Sequence, residues 1–253
     1  MKNSTITLKS PEEIELMREG GKKLARILAE AKDMCAPGIS LDVINDFVGR
    51  LCLKYQVKPS FKDYDHFPAN ICISLNDEVV HGIPTKNKVI VSGDVVSLDF
   101  GALYQGFNTD SAITFVVGES SRLKEKLIRT AEKSFLAGVR LVKPGVRLGD
   151  ISHEIEHEIE KSNFKTVKCL AGHGIGREVH EPPIIPNFGK KGTGIILEEG
   201  MTLAIEPMVT EKSYDLFLKE DGWTYATVDG GLSSHFEHTL AVVKDGYRIL
   251  TQP

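Results

Sequence analysis

Thiols, tryptophan and long apolar runs are what this chain has least of. Its 253 residues include 4 cysteines and 1 tryptophan. Cys35, Cys52, Cys72 and Cys169 are scattered without CxxC spacing, which leaves no thiol-based metal or redox motif, and three of them lie in apolar runs. They read as free, buried thiols of a reducing compartment. No stretch approaches the roughly 18 consecutive apolar residues of a membrane span. The polar N-terminus, MKNSTITLKSPEE, lacks the apolar core of a signal peptide. Nor is positive charge in excess: 31 Lys and Arg stand against 35 Asp and Glu, so no basic stripe argues for nucleic acid. A soluble, cytoplasmic protein with one large core or two tightly joined halves is expected.

Against this background five residues stand out: Asp99 in SLDFG, Asp110 in NTDSA, His173 in AGHGIG, Glu206 in AIEPM and Glu237 in HFEHT. Each sits in an apolar or Gly-rich setting that reads as a strand or tight turn at a buried wall. Carboxylates are rarely buried unless their charge is compensated. Four converging on one spot would repel each other, and divalent cations are the usual remedy. One imidazole with four carboxylates exceeds the needs of a tetrahedral zinc but suits two cations sharing bridging oxygens, a chemistry of hydrolysis.

The chain also resembles itself. APGISLDVINDFV (Ala36 to Val48) and KPGVRLGDISHEI (Lys143 to Ile155) align at an offset of 107 residues, as from Pro37 to Pro144. The offset matches Gly38 with Gly145, Ile44 with Ile151 and Val48 with Ile155. Each copy reads as a long helix, a Pro-Gly turn and a second helix. In the first helix Ile14, Met17, Gly21, Leu24, Leu28, Ala31 and Cys35 recur at spacings of three and four, an amphipathic stripe. Each copy then turns to strands, and the same offset carries Asp99 to Glu206. A pseudo-twofold axis would bring those two carboxylates to one cleft. An insertion after the second strand would account for Asp110 and Glu237 no longer matching.

SLDFGALYQGFNTDSAITFVV reads as a hairpin. A two-residue loop at Tyr104-Gln105 would set Asp99 directly opposite Asp110, with Cβ atoms about 5 Å apart, although Gly106 could instead make a three-residue bulged loop. His153-Glu154-Ile155-Glu156-His157 spells the zinc-protease H-E-x-x-H, but Leu148, Ile151, Ile155 and Ile159 form the buried stripe of that helix and put His153 on the outer face. His173 is flanked by glycines that would let backbone approach and leave room for a ligand. The spacing of those glycines is not that of a dinucleotide loop. His81 closes ISLNDEVVHGIP, and His180 precedes Glu181-Pro182-Pro183, both in turn-rich settings.

With NDEVVHGIP, SLDFGALYQGFNTDSA, GHGIGREVHEPP, MTLAIEPMV and SSHFEHT in place, the chain resembles the type I methionine aminopeptidases from about Glu12 to Leu250. The resemblance implies an α/β pita-bread fold: two pseudo-symmetric halves, a central curved antiparallel sheet and helices outside. It implies one catalytic domain over 1–253, with halves at roughly 12–116 and 119–245. The short stretch between His173 and Glu206 leaves no space for the helical insertion of type II enzymes. Nothing preceding the catalytic domain is likewise an expectation of a compact form. Carried over by motif, Asp99 is a terminal ligand of one cation, His173 and Glu206 hold the other, and Asp110 and Glu237 bridge them. His81 and His180 contact the substrate or support the ligands from behind, with His81 hydrogen-bonding near the scissile amide, and Tyr64, Phe67, Cys72 and Trp223 line a methionine pocket. The sequence departs at Phe61, where Cys is common, at Phe67, where Tyr is common, and at Val179, where Phe is frequent.

The implied reaction is removal of the initiator methionine of nascent polypeptides when the second residue is small. Glu206 is the general base, and His180 together with two divalent cations (Co, Mn, Fe or Zn) stabilises the oxyanion. The α-amine would lie by the Asp99 cation. A monomer with transient ribosome contact and no membrane association is implied as well. Two other readings share this scaffold: proline-directed peptidases, which usually carry a large N-terminal domain, and non-catalytic binding modules with degraded sites.

Overall fold

The computed structural model describes residues 6–252. Four α-helices frame it: α1 (Pro11–Met34), α2 (Leu41–Tyr55), α3 (Arg122–Val139) and α4 (Leu148–Lys161). Ser10 caps α1 through a reciprocal bond pair with Glu13, and Pro11 occupies the first turn, where its missing N–H costs nothing. The stripe read from the sequence is the buried face, extended by Gly20 and Ile27; Cys35 caps the helix and is half-covered. Cys52 and Cys72 are buried, whereas Cys169 is exposed, which corrects the expectation of uniformly buried thiols. Cys169 sits in the turn before a strand, where its apolar neighbours and not its own side chain face inward.

The main sheet has nine antiparallel strands: β1 (Lys58–Pro59), β2 (Cys72–Leu75), β3 (Val95–Tyr104), β4 (Phe107–Val116), β5 (Ala171–Gly174), β6 (Glu181–Pro186), β7 (Thr202–Ile205), β8 (Glu237–Val243) and β9 (Gly246–Ile249). Its order is β1-β3-β4-β8-β7-β5-β6, with β2 added to β3 and β9 to β8. It is curved, with helices on one face and the polar cluster on the other. Strand alternation produces this division. On β3, Val96, Leu98, Phe100 and Ala102 pack with α1 and α2, while Ser97, Asp99 and Gly101 face away from those helices. A second core of Leu127, Phe135, Ile151, Ile155, Leu203, Leu240 and Val242 joins α3 and α4 to β7 and β8. Between the two cores Met17 meets Ala204, Ala241 and Leu250, and Gly21 lets α1 approach the Leu250 carbonyl where a Cβ would come within 2.2 Å. Phe100 is fully buried. Phe100→Ala should lower the unfolding free energy by about 3–5 kcal/mol in a urea titration.

Backbone bonds recur at the offset of 107. Ser40 bridges Val89 as Arg147 bridges Ile196, and Lys58 pairs Leu103 as Lys165 pairs Thr210. Gln56 and Asn163 end the second helix of each half in the left-handed region, with φ of 56° and 61°. The halves differ where Pro207, lacking an N–H, ends β7 after Glu206; the chain resumes pairing at Met208.

The β3–β4 register differs from the one read in the sequence. Tyr104 pairs Phe107, so the turn is Gln105-Gly106, both with positive φ (47° and 85°), the type I′ geometry whose twist matches the strands. Gly106 makes that turn cheap. Asp99 therefore faces Ala112 and Asp110 faces Gly101, a diagonal pair on one sheet face. The presumed match of Asp110 with Glu237 is corrected too. Gly101 pairs Asp110 as Met208, its counterpart, pairs His235. Asp110 thus corresponds to His235, and Glu237 corresponds to Ala112, which it directly faces across the β4–β8 joint.

Candidate metal centre and active site

The buried face of the sheet gathers its polar groups from both halves. Asp99 lies on β3, Asp110 on β4, His173 on β5, Glu206 just after β7 and Glu237 at the start of β8. Each is there because period-2 alternation turns its strand neighbours to the helices. Asp99, Asp110, His173 and Glu237 are under 9% exposed. His173 Nε2 is 3.6 Å from Glu206 Oε1, and His173 Nδ1 lies 2.9 Å from the Gly174 carbonyl, to which it can donate, freeing Nε2 as a donor atom. Ligand atoms of Asp110, His173 and Glu237 lie within 4.8 Å of one another, as do those of Asp99, His235 and Glu237. Glu237 belongs to both groups.

Burial, then repulsion by Asp110 and by Glu206, pushes the Asp99 carboxyl well above the usual range. Burial likewise raises Glu206 and Glu237, with like charges adding, and holds Asp110 up to about 7. Burial lowers the imidazoles instead, His173 and His235 to about 3 and His81 to about 4. Buried Asp99 Oδ1, Asp110 Oδ1, Glu237 Oε1 and both His235 nitrogens have no hydrogen-bond partner. Orphaned buried acceptors at a shared point are what cation ligation resolves, so the donor set fits divalent metal.

The linkage gives a pH prediction. A carboxyl raised in the folded state contributes stability below its unfolded value and loses it as pH rises toward its folded value. The lowered imidazoles act the opposite way, but only below about 6.5, where the unfolded chain charges them. Above about 6.5 the raised carboxyls set the trend. Chelator-treated protein should therefore fall in thermal midpoint as pH rises beyond that point, and excess Mn(II) should abolish the fall.

The cluster forms one wall of a pocket of about 80 Å³ whose other lining is Phe61, Tyr64, Phe67, Cys72 and Trp223, with His81 and His180. Phe67 and Trp223 meet edge to face at 5.2 Å between centroids, over a small apolar cluster with Ala69 and Cys72. Val179 is buried but does not line the pocket. His180 Nδ1 is 2.8 Å from the Tyr64 hydroxyl, and its ring stands 4.3 Å from that of His173. Lys9 and Thr7 hold Glu181 beside it. His81 has a φ of +58°, a left-handed backbone uncommon outside glycine, and it aims the ring toward Trp223 and Tyr225. His81 and His180 are counterparts: each follows by seven residues one of the matched positions Ser74 and His173, in Val-His-x-x-Pro.

The glycines around His173 serve the close backbone approach read in the sequence. A Cβ at Gly172 would lie 2.4 Å from the Ala204 carbonyl, and one at Gly174 2.1 Å from that of Pro182. They let neighbouring strands close on β5. His153 and His157 stay on α4, stacked on each other and away from the cluster; His153 Nδ1 faces the Gly189 carbonyl. His235 is the residue sequence reasoning missed. It shares a sheet face with Glu237, two positions on, and that H-x-E alternation was the available signal.

The sequence profile of metallopeptidase family M24 matches residues 15–244. The chain belongs to metallopeptidase family M24. This M24 chain is 45% identical over 246 residues to a methionine aminopeptidase of Clostridium perfringens, covering 97% of the chain and 98% of that protein. It superposes on the crystal structure of methionine aminopeptidase from Thermotoga maritima with a TM-score of 0.97 at 44% identity, covering 98% of this chain and all of that one. The M24 fold is the pita-bread α/β architecture, shared with a prolidase from Pyrococcus furiosus at a TM-score of 0.80 and 22% identity, a likeness of fold alone. Membership makes this M24 chain a metal-dependent hydrolase. Among the described residues no helix is long and apolar enough to cross a membrane.

Proposed function

We propose that this chain is a methionyl aminopeptidase that removes the N-terminal methionine of nascent polypeptides when the second residue is small. The observation that carries the reading is an apolar, aromatic and sulfur-containing pocket opening onto a buried acidic cluster. A methionine side chain gains burial and sulfur–ring contacts there, from Phe67, Trp223 and Cys72. Phe61, which packs on Gly101 so closely that a Cβ there would lie 2.7 Å from its ring, shares the pocket lining.

Asp99 would hold one divalent cation, His173 and Glu206 a second, and Asp110 and Glu237 would be shared, in line with Glu237 belonging to both donor groups. Bound cations supply Lewis-acid charge that activates water and polarises the scissile carbonyl. Glu206, raised by burial, takes the proton of the attacking water and delivers it to the leaving amine. His180, held by Tyr64, donates to the developing oxyanion, and His81 to the scissile amide region. The free α-amine would lie by the cation that Asp99 holds, which restricts cleavage to chain ends. The enzyme works as a cytoplasmic monomer with transient ribosome contact.

The test is incubation of cation-reconstituted protein with Met-Ala-Ser and Ala-Pro-Ala. Release of methionine from the first alone is expected. Cleavage of the second alone would make this a proline-directed peptidase, and inertness toward both would favour a binding module.

A further inference from the structure

His235 is absent from the five-residue set, yet it stands inside the cluster. It is 1% exposed, and neither ring nitrogen has a hydrogen-bond partner. Its Nε2 lies 3.6 Å from Glu206 Oε2 and 3.7 Å from Glu237 Oε2. Glu206 is thus divided between two imidazoles, Oε1 toward His173 and Oε2 toward His235. The backbone of His235 is fixed as that of its counterpart Asp110 is. Thr114 Oγ1 donates to the His235 carbonyl at 2.7 Å and accepts from its N–H at 3.0 Å. Thr239 Oγ1 does the same for Asp110, at 2.9 Å and 2.8 Å. Matched clamps in the two halves therefore turn both side chains into the shared site.

We infer that His235 is a positioning residue whose Nε2–H holds the Oε2 atoms of Glu206 and Glu237 in their working orientations. This rests on the role given above to Glu206. A buried N–H without an acceptor costs more than a buried lone pair, so the ring proton belongs on the nitrogen facing two carboxylates, not on Nδ1. The present separations exceed hydrogen-bond range by about 0.5 Å, and catalytic hydrogen bonds often tighten only with substrate bound. Oε1 of Glu206 is the oxygen on the His173 side, where a cation would be held, so Oε2, on the His235 side, would be the oxygen left to carry the proton. His235 controls where that oxygen points.

The experiment pairs nitrogen NMR with kinetics. In long-range 1H–15N spectra His235 Nε2 should carry a proton in the metal-free protein and retain it when Zn(II) is added. Loss of that proton on zinc loading would make His235 a ligand and overturn the inference. On Met-Ala-Ser, His235→Leu should lower kcat by about 30-fold, the worth of a hydrogen bond to a charged group, with KM within about threefold. His235→Gln, which keeps an N–H donor, should recover most of the loss. Equal impairment of both variants, or no loss in His235→Leu, would also overturn it. Wild-type protein inert on Met-Ala-Ser would instead remove the catalytic reading and leave the NMR outcome to judge His235 as a donor to the two carboxylates.

Discussion

Glu206→Gln is expected to slow methionine release roughly a thousandfold, within the range by which a positioned general base accelerates proton transfer. The substitution keeps the volume and one oxygen, so the contact with His173 at 3.6 Å survives while the proton acceptor is lost. KM for Met-Ala-Ser should stay close to the parent value, because the apolar lining that would take the methionine side chain is Phe67, Cys72 and Trp223, while Glu206 lies in the acidic wall of the same pocket. Steady-state kinetics with parallel measurement of bound cation separates the two effects. A variant within tenfold of the parent kcat would remove Glu206 from the base role.

The second large effect is expected at Glu237, the one residue common to both donor groups. Glu237→Gln should weaken cation binding at least about 100-fold, as loss of a ligand does. In chelator at pH 8 the same variant should melt above the parent. The reason is the sign of the linkage: burial and three neighbouring carboxyls raise Glu237, so ionising it in the folded, metal-free protein is costly, and the amide removes that cost. Adding cation should reverse the order. Calorimetric titration and thermal melts in both conditions check this crossover; a variant destabilised in both would point to a packing role.

Much of this arrangement could be read without coordinates because it obeys simple periods. The α1 stripe follows from three-and-four spacing. The positions of Asp99 and Glu206 follow from the repeat, since the Pro-Gly turns at Gly38 and Gly145 fix the offset before the strands begin. What could not be read depended on pairing across the sheet. The turn at Gln105-Gly106 asks glutamine to take a positive φ, which composition does not announce, and a shift of one residue in the turn moved Asp110 from opposite Asp99 to opposite Gly101. His235 was hidden for a related reason: its equivalence to Asp110 appears only once both hairpin registers are known. The glycines beside His173 show a further limit, because close strand approach and space for a ligand require the same residue type.

The central claim is that buried acidic and imidazole groups from both halves bind divalent cations in order to release an N-terminal methionine. Its most direct test is to add Mn(II) stepwise to chelator-stripped protein while counting bound ions per chain and following methionine release from Met-Ala-Ser. Expected is an inert stripped protein whose activity rises with cation occupancy and reaches its plateau at two ions per chain, the number that the ligand set proposed above would hold. Methionine release at undiminished rate from the stripped protein, or a chain that binds no cation, would contradict it.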